Sequence, residues 1–169
     1  MTALGAAIRV SDAPERQAWR TPRPLFDALH ARFRFDVDAA ADINNHLLPH
    51  YWTERDDGIA QLIDESNDHL RAWVNPPYGD IDPWIGAGLS RGHRGAVTVL
   101  LLPSRTDQAW FLRALSGEIW FSRGRVQFVP PPGVRPSSNS HGSVLVVFDP
   151  ETMGRGLIRA FDAKTGAIL

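Results

Sequence analysis

The sequence predicts an α/β sandwich built on a mostly parallel sheet with an antiparallel edge. Three observations carry that expectation. Residues 96–102 (Ala-Val-Thr-Val-Leu-Leu-Leu) form a near-continuous apolar run, the pattern of a strand buried on both faces under helices. Strand-like and helix-like patterns alternate as far as residue 121, as in sheets whose parallel strands are joined by helical crossovers. Beyond that point the patterns are strands, which supplies the antiparallel edge.

The elements follow in chain order. Residues 1–18 are small and polar without a clear period, and read as a flexible terminus ahead of one domain over residues 19–169. Leu25, Phe26, Leu29 and Phe33 recur at helical spacing, and Pro24 suits a first helical turn. Residues 33–38 alternate with period two and end in acids, so a strand is expected there. Residues 39–47 are expected to form a short helix stopped near Pro49. Residues 50–70 are mixed, with a turn signal at Asp57-Gly58.

Residues 71–74 are a short apolar strand leading into Asn75-Pro76-Pro77-Tyr78. Two prolines cannot continue a central ladder, so the strand stops and the tetrapeptide sits at its carboxyl end. Asp82 or a neighbour caps a helix through Trp84, Ile85 and Leu89, and Arg91, His93 and Arg94 fall in the loop that enters the 96–102 strand. Residues 107–115 read as a helix, 118–121 as a strand, 129–140 as a Pro- and Ser-rich loop and 143–148 as a strand. Residues 160–168 resemble a closing hairpin with Gly166 in its turn.

Composition narrows the chemistry. The 169 residues contain no cysteine, which excludes disulfides, thiolate zinc sites and cysteine nucleophiles. No apolar run approaches the roughly 18–20 residues of a membrane span. The first 18 residues lack a basic start followed by an apolar run, so the expected location is the cytoplasm. Net charge is −1 but unevenly spread. Residues 1–84 hold 8 Arg and 14 Asp or Glu, while residues 85–169 hold 10 Arg or Lys and 5 Asp or Glu. An acidic half that meets a cationic small molecule and a basic half that meets phosphate is one reading; plain solvated surface is the other. His46 and His50 are four apart, but Pro49 disturbs the helix that would align them and no third ligand has metal spacing, so no metal is expected.

In sheets of this kind ligands bind outside the carboxyl ends of the strands. Two such ends carry unusual polar residues: Asp36 and Asp38, and Asn75-Pro76-Pro77-Tyr78. Pro76 and Pro77 remove two N–H donors and stiffen the bend. The Asn75 side chain and the carbonyls of Asn75 and Pro76 then form an acceptor-rich pocket suited to a planar NH₂ group. Tyr78 adds an aromatic face for stacking. The plain alternative is an ordinary Pro-Pro turn.

Asn75-Pro76-Pro77-Tyr78 at a strand end resembles the catalytic motif of S-adenosylmethionine-dependent methyltransferases acting on planar amino groups. More of the chain is similar to the small phage-type DNA adenine-N6 methyltransferases, the phage Dam-like family, over residues 19–148. The matching pieces are Trp19-x-Thr21-Pro22, Phe35-Asp36-Val37-Asp38-Ala39-Ala40, Tyr51-x-Thr53 with Asp57-Gly58, Val74 to Gly79, Trp84-Ile85, Leu101-Leu102-Pro103-x-Arg105-Thr106-Asp107, Gly124-Arg125-x-x-Phe128 and Val144 to Phe148. The resemblance implies a single-domain Rossmann-like methyltransferase sandwich with helices on both faces, acting on adenine N6 in DNA with S-adenosylmethionine and no metal, as a monomer or weak homodimer.

It also implies roles. Asn75, Pro76, Pro77 and Tyr78 would be catalytic, with Asn75 and the Pro76 carbonyl accepting the N6 hydrogens and Tyr78 stacking on an extruded base. Trp19, Thr21 and Pro22 would flank the methyl donor. Asp38, with Asp36 on the same strand face, and Ala39 and Ala40 would lie at its methionine end. Asp57-Gly58, with Asp56 interchangeable, would lie near its adenine or ribose; a simple turn is the alternative. Arg105, Arg123 and Arg125 follow strands in the basic half and are candidate phosphate contacts, against surface solvation or ion pairing. The 129–141 loop, with Arg135 and Asn139, is the candidate for reading DNA. One departure stands out: the glycine-rich loop that many methyltransferases carry after the first strand is absent, and Ala39 stands where the family places Pro. The same tetrapeptide also serves methyltransferases of glutamine side chains and of RNA base amines. From a different class, a nucleic-acid-binding relic without turnover remains open.

Overall fold

The structure is a computed structural model that describes residues 19–131, 133 and 141–169. Among the described residues six strands form one sheet in the order β1-β2-β3-β5-β4-β6: β1 (Val37–Asp38), β2 (Ala72–Val74), β3 (Thr98–Pro103), β4 (Glu118–Arg123), β5 (Ser143–Phe148) and β6 (Ile158–Asp162). Four α-helices of the described residues accompany them: α1 (Arg23–Phe33), α2 (Gly58–Ile63), α3 (Asp82–His93) and α4 (Ala109–Ala114).

The sheet is mostly parallel, as expected, but its reversed strand is not at an edge. The β1–β2, β2–β3 and β4–β6 pairs are parallel, while β5 runs antiparallel to both β3 and β4 and lies between them. Every residue of β5 is buried. A strand with no polar side to show water takes an interior place with two partners.

Period-two alternation divides the core between the two faces. Trp73, Val99, Leu101, Trp120, Leu145 and Val147 pack with Leu25, Phe26, Leu29 and Phe33 of α1. Their neighbours Ala72, Val74, Leu100, Leu102, Val144 and Val146 pack with Leu62 of α2, Trp84 and Ile85 of α3, and Trp110 and Phe111 of α4. Both faces are therefore covered by helices. Each fully buried side chain of this size contributes roughly 1.5–3 kcal/mol. On the α1 face, Phe26 meets the Trp73 ring edge-on at 5.7 Å, which locks the helix over β2.

Several local expectations change. The strand over 33–38 shrinks to two residues because Phe33 still belongs to α1 and Arg34 ends that helix in the left-handed region, φ 53°. The helix expected over 39–47 is replaced by turns. The Asp42 side chain accepts from the Asn44 N–H at 2.6 Å, and the Asn45 side chain accepts from the Asp42 N–H at 2.7 Å. Short polar side chains that compete for backbone groups in this way favour turns over helix. Within the mixed segment, Asp57 adopts φ 53° and accepts from the Ala60 N–H, opening α2. Asp82 does not cap α3; Ile81 occupies that place with no side-chain cap bond, and Asp82 pairs with Arg113 at 2.7 Å.

Arg91 and His93 lie in the last turn of α3 rather than in a loop. Arg91 is fully buried, with its guanidinium bonded to Thr98 Oγ1 and to the Asn67 and Leu70 carbonyls. The closing hairpin is present, with Gly166 at φ 73°, an Asp162 N–H to Ala167 carbonyl bond at 2.8 Å and an antiparallel bridge from Phe161 to Ile168. Its first strand begins earlier than expected, at Ile158, and pairs with β4.

Candidate active site

β1 and β2 are neighbours in register, Asp38 beside Trp73, so their carboxyl ends bring Asp38 and Asn75 to the same rim of the sheet. A small pocket, of about 20 Å³, opens there, lined by Trp19, Arg20, Thr21, Asp38, Ala40, Asn45, Leu47, Trp73 and Asn75. Five of these, Trp19, Thr21, Asp38, Ala40 and Asn75, are residues the sequence singled out, drawn from three separate segments.

The Asn75 side chain is held at both ends. Its Oδ1 accepts from the Tyr78 hydroxyl at 3.2 Å, and its Nδ2 donates to the Trp19 carbonyl at 3.4 Å. Pro76 is buried and Pro77 exposed, so the bend turns outward after Pro76. The half-buried Tyr78 lies 3.4 Å by its hydroxyl from the Leu101 carbonyl, and its ring meets Phe128 edge-on at 6.4 Å. Burial pushes the Tyr78 phenol well above its ordinary value, against the opposing charge of Arg105. The hydroxyl is thus a neutral donor at every physiological pH.

Asp38 is 4% exposed. Burial pushes its carboxyl up to about 6, against lowering by the backbone N–H groups of Leu47 and Ala40 and by His46. The Leu47 N–H donates to Asp38 Oδ2 at 3.0 Å, which ties the 39–47 turn back over the strand end. His46 stacks on Tyr51 with ring centroids 4.1 Å apart, and its Nδ1 pairs with the Leu48 carbonyl.

Four lining residues carry a buried polar atom with no hydrogen-bond partner among the described residues: Trp19 Nε1, Arg20 Nε, Thr21 Oγ1 and Trp73 Nε1. Each can donate. A buried donor left unpaired costs about 1–3 kcal/mol, so four on one lining mark a place that a polar ligand completes.

The other sequence candidates are dispersed. Pro22 precedes α1 as its N-cap. Asp36 is exposed and outside the pocket lining; its carboxylate accepts from the Arg71 N–H at 2.8 Å. Ala39 is buried against Gly58, where an added Cβ would lie 2.1 Å from the Ala39 carbonyl oxygen and 3.0 Å from Trp84. Asp56 closes a capping box on Thr53, with its Oδ2 accepting from the Thr53 N–H at 2.8 Å, and Asp57 caps α2. Both carboxylates serve the local turn.

Arg105 follows β3, half-buried near Tyr78. Arg123 pairs with Asp162 at 2.9 Å, and Arg125 is exposed. Arg135, Asn139 and most of the 129–140 loop lie outside the described residues, as do residues 1–18. Among the described residues no group of three or more His, Asp or Glu is placed to hold a metal ion, and no helix is long and apolar enough to cross a membrane.

Sequence reasoning missed Arg20, Asn45, Leu47 and Trp73 as lining residues. The signal for Arg20 was its place between Trp19 and Thr21. Asn45 and Leu47 were hidden by the helix expected over 39–47.

Comparison with known proteins places the chain by sequence. The sequence model of the family described as DNA N-6-adenine-methyltransferase (Dam) matches residues 10–165. The DNA N-6-adenine-methyltransferase of Escherichia phage T1 is 24% identical over 164 aligned residues, 85% of this chain and 68% of that protein. No solved structure matches.

Proposed function

This chain belongs to the DNA N-6-adenine-methyltransferase (Dam) family, and from that premise we propose that it transfers the methyl group of S-adenosylmethionine to adenine N6 in DNA, on a Rossmann-like methyltransferase sandwich. The observation that carries the reading is the pairing, on one pocket lining, of a doubly held Asn75 with the buried acid Asp38 and unpaired donors. Those residues fit the donor molecule. Its methionine end bears an ammonium that an ionised Asp38 accepts, and its remaining polar atoms meet donors that lack partners. Ala40 on the lining leaves room for close approach.

When bound, S-adenosylmethionine supplies an electrophilic methyl group on a sulfonium. The chain's own residues prepare the amine. Asn75 Oδ1 and the Pro76 carbonyl accept the two hydrogens of adenine N6. Two acceptors hold the amine and favour the positive charge that grows on nitrogen as it attacks, an electrostatic preorganisation that costs no rearrangement at the moment of reaction. The Tyr78 ring stacks on the base, which must leave the helix to reach the pocket. No strong base is required, because the methylated ammonium is acidic and releases its proton to water. Arg105 lies close enough to Tyr78 to meet a phosphate flanking the extruded base.

Incubation of the protein with S-adenosylmethionine and unmethylated DNA, followed by nucleoside mass spectrometry, tests the reading. N6-methyladenine is the expected product. Methyl transfer to RNA or to protein glutamine with none to DNA would refute it.

A further inference from the structure

Arg20 occupies an unusual position. Its backbone is fixed, with its N–H donating to the Val129 carbonyl and its carbonyl accepting from the Val129 N–H, both at 2.9 Å. Arg20 is one of the residues that line the pocket, and its buried Nε has no hydrogen-bond partner among the described residues. Asp38 shares that lining, but the ion pairs of the described residues do not include one between Arg20 and Asp38. The lining residues thus include a cation and an anion with no direct ion pair between them.

This charge pattern selects among ligands. A lone anion such as phosphate would meet the Asp38 carboxylate, and a lone cation would meet Arg20. A group with a carboxylate and an ammonium on one carbon satisfies both. Thr21, 4% exposed with its hydroxyl unpaired, stands next to Arg20 in sequence and adds a second donor for the carboxylate. The short bridge to Val129 anchors the Arg20 backbone before any ligand arrives, which reduces the ordering cost of binding.

We infer that Arg20, assisted by Thr21, selects the α-carboxylate of an amino-acid zwitterion whose ammonium is held at Asp38. This inference rests on the proposed methyl donor and names the residue that discriminates within it. Arg20 is a specificity residue of the donor site and takes no part in the chemistry at N6.

Calorimetric titration of the full chain tests it, with S-adenosylmethionine and with its decarboxylated analogue, which keeps the sulfonium and the ammonium. The wild type is expected to prefer the intact donor by at least about 10-fold, the scale of a hydrogen-bonded charge pair. Arg20→Met is expected to weaken the intact donor by about 10–100-fold and the analogue by less than about 2-fold, and Arg20→Lys to recover part of the loss. Equal weakening of both ligands by Arg20→Met would show a structural role and overturn the inference, as would no weakening of either. If the wild type binds neither ligand, the methyl-donor reading itself falls and takes the inference with it. Wild-type binding of both ligands with equal affinity would overturn the inference alone.

Discussion

The Tyr78 hydroxyl donates to Asn75 Oδ1 at 3.2 Å while Asn75 Nδ2 donates to the Trp19 carbonyl at 3.4 Å. These two bonds fix which way the Asn75 amide faces. A primary amide free to flip would present NH₂ to the incoming amine half of the time. Oδ1 has a second lone pair, so it can accept from adenine N6 while Tyr78 remains bound. Tyr78 therefore has two separable parts, a ring for the base and a hydroxyl that orients Asn75. Tyr78→Phe keeps the ring and is expected to lower kcat about 3–10-fold, the scale of one neutral hydrogen bond, with donor affinity unchanged. Tyr78→Ala removes the stacking face as well and is expected to cost a further 10–100-fold or so in kcat/KM for DNA. Steady-state kinetics on both variants check this; equal losses in the two would contradict it.

Asp38 links the pocket to pH. Burial raises its carboxyl to about 6 from an ordinary 3.8, so the folded chain holds a proton that the unfolded chain has lost between those values. More protons bound in the folded state means that stability falls as pH rises through the window from about 4 to 6, by on the order of 3 kcal/mol in total. A cationic ammonium at Asp38 favours the ionised form, so donor affinity is expected to rise with pH across the same region. Asp38→Asn should flatten the stability profile and weaken the donor at pH 8. Denaturant melts and calorimetry between pH 4 and 8 measure both.

Gly58 is required by packing. A Cβ there would sit 2.1 Å from the Ala39 carbonyl oxygen, a backbone atom that cannot swing away, and 3.0 Å from Trp84. Gly58→Ala must push α2 off the β1 end or shift Ala39, next to the pocket residues Asp38 and Ala40. The expected loss is about 1–3 kcal/mol of stability, the range for overpacking a filled site, together with weaker donor binding. Thermal melts would contradict the account if the variant matched wild type.

Much of this was legible in the sequence, for reasons that particular residues make plain. The apolar run through Val99 and Leu100 announces a buried strand because nothing in it tolerates water. Pro76 and Pro77 announce a strand end because neither can donate to a ladder. The α1 stripe of Leu25, Phe26, Leu29 and Phe33 is buried as its spacing demands. What was not legible depended on long-range competition. Asp42 and Asn45 turned a helix-compatible stretch into turns, and the Asp38 carboxylate fixed their end through the Leu47 N–H. β5 moved inside the sheet because all six of its residues are buried, which no local pattern distinguishes from an edge. Arg91 was expected in a loop, yet it is buried in α3 where the backbone carbonyls of Asn67 and Leu70 accept its donors. At the site, the motif residues were visible one segment at a time. The convergence of Trp19, Thr21, Asp38, Ala40 and Asn75 on one lining, with Arg20 beside them, belongs to the fold.

The most direct test of the central claim pairs transfer with binding in one variant, Asn75→Ala. Methylation of adenine in DNA is expected to fall by about 10²–10³-fold or more, the loss typical of removing a preorganised hydrogen-bonding group at a reacting centre. The affinity for S-adenosylhomocysteine, measured by calorimetry on the same preparation, is expected to stay within about 3-fold of wild type, since Asp38 and the side-chain donors of Trp19, Arg20 and Thr21 are retained and only the long bond to the Trp19 carbonyl is lost. Undiminished methylation by Asn75→Ala would contradict the account.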